Sequence, residues 1–254
     1  MEVRDKSPDL GEFGVQIHPT FRRSGFEGEF IVSRTSYLAL GDSITCGVGA
    51  TAPANGFAQG VADALAQSSL CAGWQSIAGP HWTTQNLLRT MRSLDTQVWE
   101  QARVVTVLIG GNDLRRRYYS FLSHPATMQA ISRAVDSCGH MLAHVLELVK
   151  EQGIPCVVVG TLYNPLPHAH VAVSAVTRLN EQIAWAASRS GCHVVDLYSL
   201  FLGHEHEWIA QYRTGHMQDL ATPFCRPIHP NDEGHQVIAS AMLNKVLEVL
   251  ACEV

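Results

Sequence analysis

Five short apolar runs, separated by longer stretches with helical spacing, constrain this chain more than any other feature. The runs are Tyr37-Leu38-Ala39-Leu40, a segment within 70–78, residues 104–109, Cys156-Val157-Val158-Val159 and His193-Val194-Val195. They are continuous and rich in β-branched residues, the pattern of strands buried on both faces. Residues 57–66, 84–98, 126–151, 172–190 and 233–250 read as helices. In 126–151, Leu142, Val145, Leu146 and Val149 recur on one helical face, and Gly153 and Pro155 stop the helix. Strand–helix alternation of this kind predicts an α/β fold, with a central parallel sheet of about five strands covered by helices on both faces. In such sheets the ligand crevice lies beyond the carboxyl ends of the strands. The residues to inspect are therefore Gly41-Asp42-Ser43, Gly79, Gly110-Gly111-Asn112-Asp113, Asn164 and Asp196.

Residues 1–33 mix glycine, proline and charge without periodicity and read as an irregular extension, so one domain is expected over 34–254. A chain of 254 residues can bury roughly three quarters of its unfolded surface, enough for a full core. Charged residues make up 16%, against roughly 25% in an average domain, which excludes a disordered chain. The net charge of −5 opposes an electrostatic nucleic-acid binder. Arg115-Arg116-Arg117, the dense basic cluster, reads as a solvated loop or helix face. No run approaches the roughly 18 apolar residues of a bilayer span, and the first ten residues hold no apolar core of a secretory signal. The cysteines (Cys46, Cys71, Cys138, Cys156, Cys192, Cys225 and Cys252) form no C-x-x-C pair. Cys156 and Cys192 read as small buried hydrophobes, and reduced thiols in a cytoplasmic setting are the expectation. His168 and His170, His204 and His206, and His140 and His144 lack the carboxylate or cysteine company of a zinc site, so no metal and no cofactor are assigned.

Three segments carry chemistry. Ser43, after the first run, offers a hydroxyl at a strand-to-helix turn, although a serine there is also a common helix cap. Asn112 follows a Gly-Gly pair and offers an uncharged amide donor, with an Asn-Asp turn as the alternative. His229 precedes Pro230, which biases it away from helical geometry before the last helix, and a surface histidine without a role is the alternative. Together they supply a nucleophile, an oxyanion donor and a base.

In this conjunction the chain resembles the SGNH (GDSL-type) hydrolase family from about residue 37 to 250, and Val195-Asp196-Leu197 and Arg178-Leu179-Asn180 are similar to it too. The resemblance implies a three-layer flavodoxin-like fold and hydrolysis of a small-molecule carboxylic ester, of small or medium acyl chain, through an acyl-enzyme. It makes Ser43 the nucleophile, His229 the base, and the Ser43 N–H and Asn112 side chain oxyanion donors. Carbohydrate deacetylation and lysophospholipid or thioester cleavage use the same machinery. The family places an aspartate three residues before the histidine, where this chain has Arg226. Either a backbone carbonyl orients His229 or another carboxylate does, with Asp219 first and Asp232 second, whereas Asp196 is expected to be structural. A non-catalytic ligand binder is the reading in which Arg226 marks lost activity. The family's further backbone donor falls at Gly79, preferred for its freedom of backbone, or at His81 if the Thr83-Thr84 pair sets the alignment. Asp42, Trp82 and Tyr163 are the substrate-binding candidates, with Phe57, Tyr118 and Tyr119 as further aromatics for an acyl slot.

Overall fold

Burial accounts for the apolar runs: Tyr37, Ala39, Leu40, Val104, Val105, Val107, Cys156 and Val158 are fully buried. The computed structural model describes residues 16–17, 35–122, 128–221 and 226–252, the side chains of 16–17, 117–122, 128–131 and 134 excepted. The expected segments form β2 (Ser36–Gly41), β3 (Gly73–Ala78), β4 (Ala102–Leu108), β5 (Cys156–Gly160) and β6 (His193–Val195). All five are parallel, in the order β3-β2-β4-β5-β6. A two-residue strand, β1 (Gln16–Ile17), adds an antiparallel edge to β3 through Gln16–Ser76 and Ile17–Gln75. The rest of the segment read as an extension, together with Arg34, lies outside the described residues.

Two helical layers cover the sheet. The helices α1 (Phe57–Gln67) and α9 (Asp232–Ala251) pack together on one face. On the other, α5 (Met128–Glu151) packs on α2 (Thr84–Met91), α4 (Gly111–Leu122) and α6 (His170–Arg189). The single helix expected over 84–98 is two: α2 ends at Met91, and α3 (Thr96–Gln101) starts after Asp95, whose side chain accepts from the Gln97 N–H. An aspartate that bonds to nearby backbone favours a cap over helix continuation, and helical spacing does not register that. Arg115 and Arg116 lie on α4, the helical one of the two readings of the basic cluster. Short α7 (Leu197–Phe201) and α8 (Glu205–Trp208) complete the described helices, and none is long and apolar enough to cross a membrane. The six described cysteines are free, with Cys156 buried but Cys192 only partly so; Cys225 lies outside the described residues.

After β2 the chain moves outward to β3, then returns past β2 to form β4 on its other side. The switch point of this doubly wound sheet therefore lies between the carboxyl ends of β2 and β4. Ser43 follows one of these strands and Asn112 the other.

Candidate active site

The turn after β2 is made by close packing. A Cβ on Gly41 would strike the Thr45 hydroxyl and the Leu108 carbonyl oxygen, so glycine is needed for the approach of β4. The Val48 N–H donates to the Ser43 carbonyl (2.9 Å) and the Cys46 N–H to that of Asp42 (3.0 Å), curling the chain tightly. Ser43 caps no helix, because α1 begins only at Phe57. One Asp42 oxygen accepts the Ile44 N–H at 3.0 Å, and burial pushes this carboxyl up to about 7.

His229 comes from the loop before α9 and is fixed at several points. Its carbonyl accepts from the Ala210 N–H (2.9 Å), and the Asn231 N–H donates to the Trp208 carbonyl (2.9 Å). The Asn231 side chain caps α9 by accepting from the Gly234 N–H (2.9 Å). The Tyr163 hydroxyl donates to the Ile228 carbonyl at 2.7 Å, and its ring stacks on Phe201. Gly49, at φ +104°, has no room for a Cβ against His229 and Pro230, so the serine and histidine loops are packed on one another. The result is a Ser43 Oγ–His229 Nε2 distance of 3.0 Å across 186 positions of sequence.

No carboxylate among the described residues hydrogen-bonds this imidazole. Burial first, then the positive charge of Arg115, lower its pKa to about 4. Asp219, the expected orienting acid, is turned elsewhere. Its carboxylate accepts from the Thr214 N–H (2.9 Å), the Thr214 hydroxyl (2.9 Å) and the Gly215 N–H (2.8 Å), bonds that hold its own pKa below the usual carboxylate range. Asp232 accepts from the Thr51 N–H (2.7 Å), the Thr51 hydroxyl and Asn55, bracing the loop before α1. Asp196 caps α7 through the Ser199 N–H, the structural role expected of it. Arg226 donates from Nε to the Leu220 carbonyl at 3.2 Å.

These contacts predict the outcome of Asp219→Asn. Melting temperature should fall, since the amide presents a donor to groups that already donate, a cost of about 1–3 kcal/mol. The pH profile of kcat/KM should keep its acid limb near pH 4. The base must be unprotonated, and a histidine whose folded pKa lies at about 4 stays neutral as pH falls through its ordinary 6.5. The stability linkage runs the same way: with a depressed folded pKa, the contribution of His229 is complete above 6.5 and is lost as pH falls towards 4. A roughly 10⁴-fold loss of kcat in Asp219→Asn, with melting unchanged, would restore the aspartate as the orienting acid.

On the other side of the site, Asn112 is buried at the start of α4 and donates one amide N–H to the Trp82 carbonyl at 3.0 Å. Gly110, at φ +129°, allows the chain to turn from β4 into that helix. Asp113 accepts from the Thr84 N–H (3.0 Å) and hydroxyl (2.8 Å), tying α4 to α2. Gly79 does not take the positive φ for which a glycine was preferred there. It opens a turn closed by the Trp82 N–H on the Gly79 carbonyl (3.1 Å), and the residue in the left-handed region is His81, at φ +67°. Proline at the second position and positive φ at the third are the signature of a type II turn. Gly79 is glycine because a Cβ would collide with the Trp82 indole.

Ser43, Asn112 and His229 share one cavity of about 170 Å³. Its apolar wall includes Leu162, Leu166, Val176, Met217, Leu220 and Ile228. Among the substrate-binding candidates, Asp42 and Tyr163 line it, whereas Trp82 covers Gly79 and Phe57 is buried in the core. The side chains of Tyr118 and Tyr119 lie outside the described residues. Among the described residues no three His, Cys, Asp or Glu side chains converge to hold a metal ion; His144 and His204 instead bond Glu147 and Glu207.

Sequence reasoning did not single out His235. It is fully buried; its Nδ1 accepts from the Phe57 N–H (3.3 Å) and its Nε2 therefore donates to the Val48 carbonyl (3.2 Å). Val48 in turn bonds Ser43, so this ring braces from α9 the turn that carries Ser43. Its position one turn into an amphipathic helix carried no signal of that task. Nor did any motif mark Tyr163 as the support beneath His229.

A hydroxyl held against a neutral imidazole, with an amide donor across an apolar cavity, is an arrangement suited to the broad class of hydrolases. Residues 39–237 match the model of the GDSL-like Lipase/Acylhydrolase family, and the chain belongs to that family. It is a carboxylic ester hydrolase. The spore germination lipase LipC of Bacillus licheniformis is 26% identical over 217 residues, covering 81% of this chain and 93% of that protein. Among solved structures, the lipase Lip_vut3 from a goat rumen metagenome superposes with TM-score 0.71 at 22% identity, covering 83% of this chain and 97% of its own. The acetylxylan esterase Axe2 of Geobacillus stearothermophilus gives 0.62 at 18% identity, covering 84% and 94%. At these identities the two structures establish the likeness of fold.

Proposed function

We propose that this chain hydrolyses carboxylic esters of short to medium acyl chain through an acyl-serine formed on Ser43. His229 Nε2 takes the hydroxyl proton as Oγ attacks the ester carbonyl carbon. The oxyanion that forms is held by the Ser43 N–H and by the Asn112 amide. An amide has two N–H bonds, and the one engaged with Trp82 fixes the direction of the other. We place the remaining backbone donor at His81 and not Gly79, since the peptide N–H of the third residue of a type II turn points away from the turn. Collapse of the oxyanion breaks the ester C–O bond, and the proton on Nε2 passes to the leaving alcohol. Water then attacks the acyl-serine with the same imidazole as base, releasing the acid and restoring the hydroxyl.

The observation that carries this reading is the 3.0 Å contact between Ser43 and His229 inside a shared cavity. Arg226 does not disrupt that contact, so the non-catalytic alternative loses its motive. With no acid behind it, the imidazole works as a dyad with the serine, and the bonds at Ile228, His229 and Asn231 hold its orientation.

Cavity size argues for the acyl class. A cavity of ~150 Å³ takes a benzene ring, and the one here also holds the space beside Ser43, Asn112 and Arg115, so its apolar part suits an acyl chain of up to roughly six carbons. A panel of p-nitrophenyl esters should show kcat/KM rising from acetate to a maximum near hexanoate and falling beyond it. A monotonic fall from acetate would assign the cavity to the alcohol instead. A maximum at or beyond dodecanoate would show that the acyl chain runs outside it.

A further inference from the structure

The cavity is lopsided in charge. Its apolar wall comes from the segment after β5, the start of α6 and the stretch around Leu220, whereas α4 brings in Arg115 next to Asn112. The Arg115 guanidinium donates to His81 Nδ1 at 2.9 Å, so the His81 ring accepts there and adds no charge of its own through that nitrogen. Arg226 bonds the carbonyl of Leu220, itself a cavity residue, and stands where the family resemblance calls for an acid. Burial first, then the charges of Arg115, Arg116 and Arg226, lower the pKa of His81, so the imidazole that takes the Arg115 bond stays neutral. Against a chain of net charge −5, this concentration of arginine runs counter to the overall sign. The acid among the cavity residues, Asp42, already gives one oxygen to Ile44.

We infer that the alcohol half of the natural ester carries an anionic group, phosphate or carboxylate, set against Arg115, with Arg226 held near by at the Leu220 carbonyl. The inference rests on the hydrolase reading above and deepens it. With the acyl chain in the apolar part, the scissile carbonyl lies between Ser43 and Asn112, and the alcohol leaves towards the arginines. A guanidinium recognises either anion through charge-assisted hydrogen bonds. Burial is the main cause that keeps the His229 imidazole neutral and the Arg115 charge adds to it, and an anion placed there offsets that second part. The base is then stronger when the right ester is bound.

Three matched esters test this: the monohexanoyl esters of glycerol, of glycerate and of glycerol 3-phosphate. Binding is measured by calorimetry on Ser43→Ala, which leaves the esters intact. At about 0.02 M salt at least one anionic ester is expected to bind roughly tenfold more tightly than the glycerol ester, the scale of one charged hydrogen bond. The gap should shrink at about 0.5 M salt, where charges are screened over a few ångströms. Adding Arg115→Gln should close it. Tighter binding of the phosphate ester than of the glycerate ester names phosphate as the group, and the reverse names carboxylate. Equal or weaker binding of both anionic esters, or a gap indifferent to salt and to Arg115→Gln, overturns the inference. The salt series needs no substitution at Arg115, so a misfolded variant leaves the question decided. Turnover of the same esters by the unmodified enzyme is scored separately. Failure to cleave any of them overturns the hydrolase reading, while the binding gap still reports on charge.

Discussion

Ser43→Ala and His229→Ala are each expected to lower kcat for p-nitrophenyl hexanoate by roughly 10⁴–10⁶-fold, with the double variant no slower than the worse single one. The reason is that the two side chains act as one unit. Without the imidazole, Oγ keeps its proton and attacks poorly; without the hydroxyl, the imidazole has nothing to deprotonate. The 3.0 Å contact is already formed, so no rearrangement is needed to create the pair. Residual activity should remain, because the oxyanion donors and the cavity still bind the carbonyl. Labelling by a fluorophosphonate, read by intact mass and peptide mapping, should fall on Ser43 in the unmodified protein and disappear in Ser43→Ala. Losses that multiply in the double variant, or an adduct on another residue, would mean that these groups do not share one step.

Asn112→Ala should lower kcat by about 10²–10³-fold with a much smaller change in KM. The split follows from timing: the ground-state ester carbonyl carries little charge, whereas the tetrahedral intermediate presents a full oxyanion. Asn112 is held for that moment by its bond to Trp82 and by its place between Gly111 and the Asp113–Thr84 anchor. Asn112→Asp is the more informative companion. It keeps the shape but replaces a donor with an acceptor, and should be no better than alanine. Equal losses in kcat/KM and in ground-state affinity would assign Asn112 to substrate binding, and a fall in melting temperature without kinetic loss would assign it to holding Trp82.

Much of this molecule is written in local pattern. Strands such as 104–109 are legible because burial on both faces keeps charge out of every position, the one polar residue, Thr106, being bonded to the Tyr37 hydroxyl, and long helices such as α5 because one face must stay apolar. The proposed catalytic residues are legible for a related reason. Ser43, Asn112 and His229 sit where strands end or a proline interrupts helical geometry, and such places have few structural uses for those residue types together. The family resemblance rests on the same residues, and the family match bears it out.

What the linear pattern left open concerns contacts between distant segments. Asp219 lies in the loop approaching His229, yet three donors from Thr214 and Gly215 claim its carboxylate, and their directions are invisible in one dimension. Gly79 looked like the residue needing backbone freedom, but the positive φ belongs to His81, because Pro80 opens the turn and the Trp82 indole occupies the space over Gly79. His235 and Tyr163 support the site through single hydrogen bonds to backbone carbonyls, which any donor side chain could make. Of the aromatic residues expected around the acyl group, Tyr163 lines the cavity while Phe57 and Trp82 do not, and most of the described wall is Leu, Val and Met from the segment after β5, α6 and the approach to His229. Periodicity reports whether a residue faces water or protein, and that determines the layers. Which buried neighbour it meets depends on how the layers are stacked, and the orienting contacts and the cavity wall are settled there.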